Sequence, residues 1–201
     1  MKKYIIIILT LVLSISCNQK DNFVSEPSEK EKAIIDSIGN IVSLTLKKTL
    51  VKELSATIEE HGPIAAIEFC SYEALSLTEG VAGKFSYELT LKRTSSKIRN
   101  PLNAPDKYEK QALDYYQKKF QEESVFLSSY IQKITEKEDS WFYYYQPLVI
   151  NSLCLNCHGD QGKLDPDLAK VLNVTYPDDQ ATGYNEGEFR GLIRVKISLE
   201  D

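Results

Sequence analysis

The chain of 201 residues has a single methionine, Met1, and only two histidines, His61 and His158. Those scarcities narrow any metal or cofactor chemistry to a short list of donors. The four cysteines are Cys17, Cys70, Cys154 and Cys157. Cys17 follows an apolar N-terminal run, so an odd three remain for the globular part, which argues against a framework of disulfides alone. A basic excess is missing too: 24 Lys and Arg stand against 29 Asp and Glu, a net charge of −5. Nucleic-acid-binding domains are usually basic, so no nucleic-acid partner is expected. The apolar run from Tyr4 to Leu13, interrupted by Thr10, is too short to span a bilayer comfortably. With 42% hydrophobic and 26% charged residues, general disorder is not expected, and the length fits one folded domain.

What is present starts with that run. Lys2 and Lys3 precede it, as in the n-region of a signal peptide, and Ser14-Ile15-Ser16-Cys17 ends it. Small residues before a cysteine resemble a bacterial lipoprotein processing site. The expected organisation is a signal peptide over 1–16, a lipid-anchored tether over 17–27 with Cys17 lipidated, and one domain over 28–201. The alternative is an ordinary cleaved signal with a nearby free cysteine. Removing Lys2 and Lys3 leaves 22 basic against 29 acidic residues, a net −7, and a chain without methionine. The expected location is the cell envelope, facing the periplasm, with the membrane reached through the lipid. Unpaired cysteines there are exposed to oxidation.

Ser28-Glu29-Lys30-Glu31 is a capping-box signature for a helix start. Apolar residues then recur at helical spacing from Ile34 through Leu46 to Ile58. His61-Gly62-Pro63 breaks this run, and Pro63 suits the first turn of a second helix over Ile64 to Leu77. Phe85, Tyr87, Leu89 and Leu91 alternate with polar residues, which predicts a strand. Asn100 to Pro105 reads as a rigid loop and Asp106 to Gln121 as a helix. Val125 to Ile134 and Trp141 to Ile150 predict a hairpin, joined by the polar turn Glu136 to Ser140. Asn151 to Glu188 is rich in Gly and Pro and reads as loop, and Phe189 to Leu199 as a last strand. Helices followed by an antiparallel sheet make the expected fold class α+β.

Cys154-Leu155-Asn156-Cys157-His158 is the strongest chemical signal. C-x-x-C-H is the attachment motif of c-type haem. Thiols three positions apart lie on one side of a helical turn and can each reach one vinyl group, and the next residue is placed beside the ring to bind iron. An export signal agrees with that chemistry. Two other uses of these residues exist. Cys154 and Cys157 could form a redox-active dithiol, or join His158 and Cys70 in a Cys₃His zinc site.

The other face of the iron is less determined. Methionine, a common ligand of electron carriers, is absent from the processed chain. Cys70, His61 and an open position remain. Ala66, Cys70, Glu73, Ala74 and Leu77 share one helix face, whose alanines would let a flat ring approach Cys70. A buried cysteine acting as a small hydrophobe is the bland alternative. His61 stands before the Gly62-Pro63 break, where a solvated helix end is expected. Arg93, Lys97 and Arg99 form a cationic cluster in an acidic chain. Arg93 or Arg99 is expected to hold a haem propionate through paired hydrogen bonds, unless the cluster is simply a solvated loop.

Gly62-Pro63-Ile64-Ala65-Ala66-Ile67-Glu68-Phe69-Cys70, Arg93-Thr94-Ser95, Arg99 to Pro105, Cys154 to Gly159, Tyr176-Pro177-Asp178 and Ala181-Thr182-Gly183-Tyr184 occur in that order. Together they resemble the c-type haem-binding, PAS-like domain family of unknown function, found in a cyanobacterial haem protein and at the N-terminus of some bacterial signalling proteins. The resemblance spans about residues 30–199. It implies a PAS-like antiparallel sheet flanked by helices and one haem attached covalently to Cys154 and Cys157. It further implies His158 as one axial ligand and Cys70 as the other. A thiolate ligand would stabilise the ferric state and lower the potential. The chain carries no kinase or cyclase output domain, so a separate signalling protein or redox partner in the envelope is expected. Two functions fit: a redox or small-ligand sensor that switches by releasing Cys70, or an electron-transfer cytochrome of an envelope respiratory chain. An enzyme is not expected, because six-coordinate iron leaves no open site and one spare histidine offers little acid–base machinery.

Overall fold

Phe142, Tyr143, Tyr144 and Tyr145 are four consecutive buried aromatic residues. On a strand, successive side chains point to opposite faces. Phe142 and Tyr144 pack on one face of a sheet with Ile35, Ile38, Val42 and Leu46 of a long helix. Tyr143 and Tyr145 pack on the other with Tyr108, Ala112, Leu113 and Tyr116 of a second helix. The strand is therefore buried from both sides. Each fully buried side chain of this size contributes roughly 1.5–3 kcal/mol. That outweighs the exposed ion pairs on the same helices, worth about 0–1 kcal/mol each.

The computed structural model describes residues 23–122 and 129–199. The strands β1 (Phe23–Ser25), β2 (Leu89–Thr94), β3 (Tyr130–Glu136), β4 (Asp139–Val149) and β5 (Phe189–Ile197) form one sheet in the order β1-β3-β4-β5-β2. Every pairing is antiparallel. The helices are α1 (Glu29–Glu68), α2 (Ala74–Ala82), α3 (Lys107–Glu122), α4 (Ser152–His158) and α5 (Pro166–Thr175), with a π-helical segment, Phe69–Glu73, between α1 and α2. The α+β class and the long N-terminal helix agree with the sequence expectation. The signal peptide, Cys17 and residues 125–128 of the expected hairpin lie outside the described residues.

The capping box at Ser28 is present. Glu31 Oε2 accepts the Ser28 backbone N–H at 2.7 Å, and Ser28 Oγ accepts the Glu31 N–H at 3.4 Å. Glu31 also receives Lys133 Nζ of β3 at 2.6 Å. At the far end of α1, Gly62 leaves helical geometry with φ 82° and ψ 171°. That region is essentially restricted to glycine, and a side chain there costs roughly 1–3 kcal/mol. The sequence break is thus a sharp kink, after which Pro63 starts the second run.

Four elements differ from the sequence expectation. Phe23–Ser25, inside the expected tether, pairs with β3 through Val24 and Ile134. The strand expected from Phe85 begins at Leu89, opposite Ile197 at the end of its partner β5, with one further backbone bond from the Ser198 N–H to Glu88 O at 3.1 Å. The stretch 151–188, read as loop, contains both α4 and α5. For α5 the signal was Asp165, which caps it, with Pro166 in the first turn and Leu168 and Leu172 buried four apart.

Alternation along β2 places Lys92 and Arg93 on opposite faces. Lys92 Nζ meets Glu109 Oε2 of α3 at 2.6 Å, and Arg194 Nε meets Glu109 Oε1 at 3.1 Å. Glu109 is fully buried, so this three-residue network fixes the order of β2, β5 and α3. Removing one member of such a buried network costs about 3–5 kcal/mol.

Hydrogen bonds from Lys133 and then Ser28 hold the Glu31 carboxyl down at about 2, below its usual 4.5. A depressed carboxylate stabilises the fold above the unfolded-state value, and that contribution disappears as pH falls from about 4.5 to about 2. Glu31→Gln is expected to flatten stability over this window in denaturant titrations at stepped pH. Partial exposure keeps the effect near or below about 1 kcal/mol.

Candidate functional site

The pairing of β4 with β5 shifts register between Leu148 and Val149, and the chain leaves the sheet at Asn151. Asn151 Oδ1 then accepts the Cys154 N–H at 3.2 Å and caps α4. The whole C-x-x-C-H motif therefore lies on one short helix. Cys154 packs on a cluster of Ile150, Ala181 and Tyr184. Cys157 packs on a separate cluster of Ile67, Leu168, Leu172 and Tyr176. Thus α5 forms a wall behind the second thiol.

The segment after α5 is laced to the end of the motif. Gly183 N–H donates to Gly159 O at 2.8 Å, and Tyr184 N–H to His158 O at 3.0 Å. His158 Nδ1 lies 2.7 Å from Ala181 O. A carbonyl only accepts, so Nδ1 carries the proton and Nε2 keeps its lone pair for a ligand. Burial, together with repulsion from Arg99 and Arg190, pushes the His158 pKa down to about 3. The ring is neutral at physiological pH, as a metal ligand must be.

Cys70 lies on the π-helical segment and faces the cavity lined by Cys154, His158, Arg93, Tyr176 and Arg190. Burial pushes its thiol up, with partial relief from Arg93 and Arg99. The protein alone therefore keeps Cys70 protonated, and a coordinated metal would be needed to make it a thiolate. Burial also pushes the Cys157 thiol up. Cys70, Cys154 and Cys157 are free thiols. Among the described residues, no group of three His, Cys, Asp or Glu side chains is arranged to hold a metal ion. The zinc reading draws no support from this geometry.

Other sequence candidates separate clearly. His61 is exposed, 3.6 Å from Glu60, and does not line the cavity. Arg99 lines it, but its guanidinium is engaged: Nε donates to Asp179 Oδ2 at 3.0 Å and Nη2 to Cys157 O at 2.6 Å. Arg93 lines the cavity too, and its buried Nε has no hydrogen-bond partner. Burial lowers its pKa from the usual value, so the site holds a cation that an anion would stabilise.

The sequence reading missed Arg190 and gave Ser95 no role beyond its place in the Arg93-Thr94-Ser95 motif. Arg190 Nη1 donates to Ser95 Oγ at 2.5 Å and to Lys97 O at 3.1 Å on the cavity wall. Spacing does not mark Arg190, because it enters the site through strand pairing.

Gly159 ends α4, and a Cβ there would stand 2.7 Å from the Leu155 carbonyl oxygen. Gly159→Ala is expected to destabilise the protein by about 1–3 kcal/mol through this overlap. A fall in the thermal midpoint, with faster amide exchange in α4 than in α3, would confirm it. An unchanged midpoint would refute it.

Residues 19–198 match the Tll0287-like family model. The fold is similar to the crystal structure of the cyanobacterial haem protein Tll0287, with a TM-score of 0.57 and 20% sequence identity, over 86% of this chain and 96% of that one. No curated protein matches the sequence. With the family model covering nearly all of the described fold, the chain belongs to the Tll0287-like family.

Proposed function

We propose that this chain holds one haem c, bound covalently by Cys154 and Cys157, with His158 and Cys70 as axial ligands, and acts as a lipid-anchored envelope sensor of redox state or a small ligand. The observation that carries this reading is the convergence of Cys154, His158, Cys70 and the unpaired Arg93 Nε on one cavity. The cavity is lined by the thiols of Cys154 and Cys70, a neutral imidazole and an orphaned cation, with Cys157 on the same helix as Cys154, and this is the donor set that a haem with its acidic propionates requires. The family's cyanobacterial member is described as a haem protein, which supports the same assignment.

When bound, haem would supply a redox-active iron. The chain's residues do the rest. Cys154 and Cys157 tether the ring from α4. Ala181 orients His158. Arg93 neutralises a propionate, while Arg99 keeps α4 in place rather than serving as an anion ligand. Cys70 is the ligand most suited to exchange. It sits on a π-helical segment, a form common at functional sites, and between the Gly62 kink and α2, which packs on the α1 side of the sheet. We read this wide turn as the bistable element that a switch needs, which favours a sensor over an electron carrier of fixed ligation. The partner is then a separate envelope protein.

Protein from an envelope fraction is expected to give a haem-stained band on a denaturing gel and a red-shifted ferric spectrum from thiolate ligation. Cys70→Ala should keep the stain and lose that spectrum. Arg93→Gln should keep both and lower haem-dependent stability. Cys17→Ser should move the protein from the membrane to the soluble envelope fraction. An unstained band overturns the haem reading, and identical ligation in both redox states favours the electron carrier.

A further inference from the structure

We infer that Asp179 is the positioning residue for His158, and that Asp179 and Arg99 form an opposed charge pair that sets how strongly His158 donates electrons to its ligand. The inference rests on the haem reading of the site.

Ala181, whose carbonyl holds the His158 ring, belongs to no helix or strand. Its position comes from side chains. Asp179 Oδ1 accepts the Ala181 N–H at 2.8 Å. Asp179 Oδ2 accepts Arg99 Nε at 3.0 Å, with Nη2 at 2.9 Å. Arg99 Nη2 in turn donates to the Ala181 carbonyl at 3.3 Å and to the Cys157 carbonyl at 2.6 Å. Gln180 N–H donates to Ile98 O at 2.9 Å and holds the same loop against the segment that carries Arg99. Ala181 is fully buried, and the side chains of Arg99 and Asp179 are 11% and 5% exposed. Both polar backbone groups of Ala181 are therefore controlled by one buried ion pair, and that pair also grips the last turn of the haem-motif helix.

The chemistry follows from the shared carbonyl. Ala181 O accepts from His158 Nδ1 and from the Arg99 cation together. A carbonyl already polarised by a cation is a weaker acceptor, so Nδ1–H keeps more of its proton and Nε2 donates less. Asp179 offsets that cation. Removing Arg99 enriches the imidazole and removes a positive charge near the site, and both changes favour the oxidised centre. Removing the Asp179 charge leaves Arg99 uncompensated and favours the reduced one. Loosening of the loop alone would shift the potential the same way for either deletion, so opposite shifts report the charges of the pair.

The test uses full-length protein from an envelope fraction, with haem staining as the control and spectroelectrochemical titration as the readout. Arg99→Gln is expected to lower the midpoint potential and Asp179→Asn to raise it, both with stain retained. Arg99→Lys, which keeps the charge but not the fork, is expected to shift less than Arg99→Gln. Shifts in the same direction, or none, in stained protein overturn the inference. If Asp179→Asn fails to accumulate, the two Arg99 variants decide: equal potentials overturn it, and a lower potential in Gln than in Lys supports it. An unstained wild type sinks the haem reading and this inference with it, and is told apart by the absence of any titratable centre.

Discussion

The Ala181 carbonyl accepts the His158 Nδ1–H at 2.7 Å, and the geometry of the site follows from that bond. It selects the tautomer with the proton on Nδ1 and holds the ring of a residue that lines the cavity. The same loop supplies the amides of Gly183 and Tyr184 that close the end of α4. A helix of seven residues is too short to stand alone. α4 is stable because its N-terminus is capped by Asn151, its thiols are seated on two apolar clusters, and its C-terminus is strapped by this loop.

The sheet serves the site at a distance. Glu109, buried among Lys92, Arg194 and the backbone of Asp106, locks α3 to β2 and β5. With Lys92 fixed on that face, the pleat sends Arg93 to the opposite face, where it meets the cavity. The unpaired Nε of Arg93 is costly in a folded protein, since a buried donor without a partner forfeits roughly 1–3 kcal/mol. The fold keeps this donor in place through a network on the far side of the same strand. Stability is thereby concentrated in the sheet and its α3 face, and the wall of the site carries the unsatisfied group.

Much of this was legible in the sequence because it is local. The capping box, the Gly62-Pro63 break, the aromatic hairpin and the C-x-x-C-H spacing all follow from residues near one another in the chain. The face expected to carry Cys70 was legible only in part, because the π-helical segment Phe69–Glu73 interrupts the expected helix over Ile64 to Leu77 and leaves Glu73 exposed. Arg190 and the structural role of Arg99 were not, because they arise from strand pairing and loop contacts between residues about 80–95 positions apart. The loop reading of 151–188 failed where glycine and proline counts hid the short helical signal of Asp165-Pro166. That Cys70 lines the cavity while His61 is exposed likewise depended on which side of the kink faces inward.

The π-helical segment Phe69–Glu73 imposes a constraint of length rather than of composition. A π turn closes its hydrogen bond one residue later than an α turn, so it holds one residue more for about the same rotation. The segment therefore absorbs a residue without turning α2 away, and Ala74, Thr78 and Val81 stay on the core. Inside the wide turn the faces do not keep α spacing, and Glu73, three residues beyond Cys70, is exposed. The extra residue is confined to the one turn that carries Cys70.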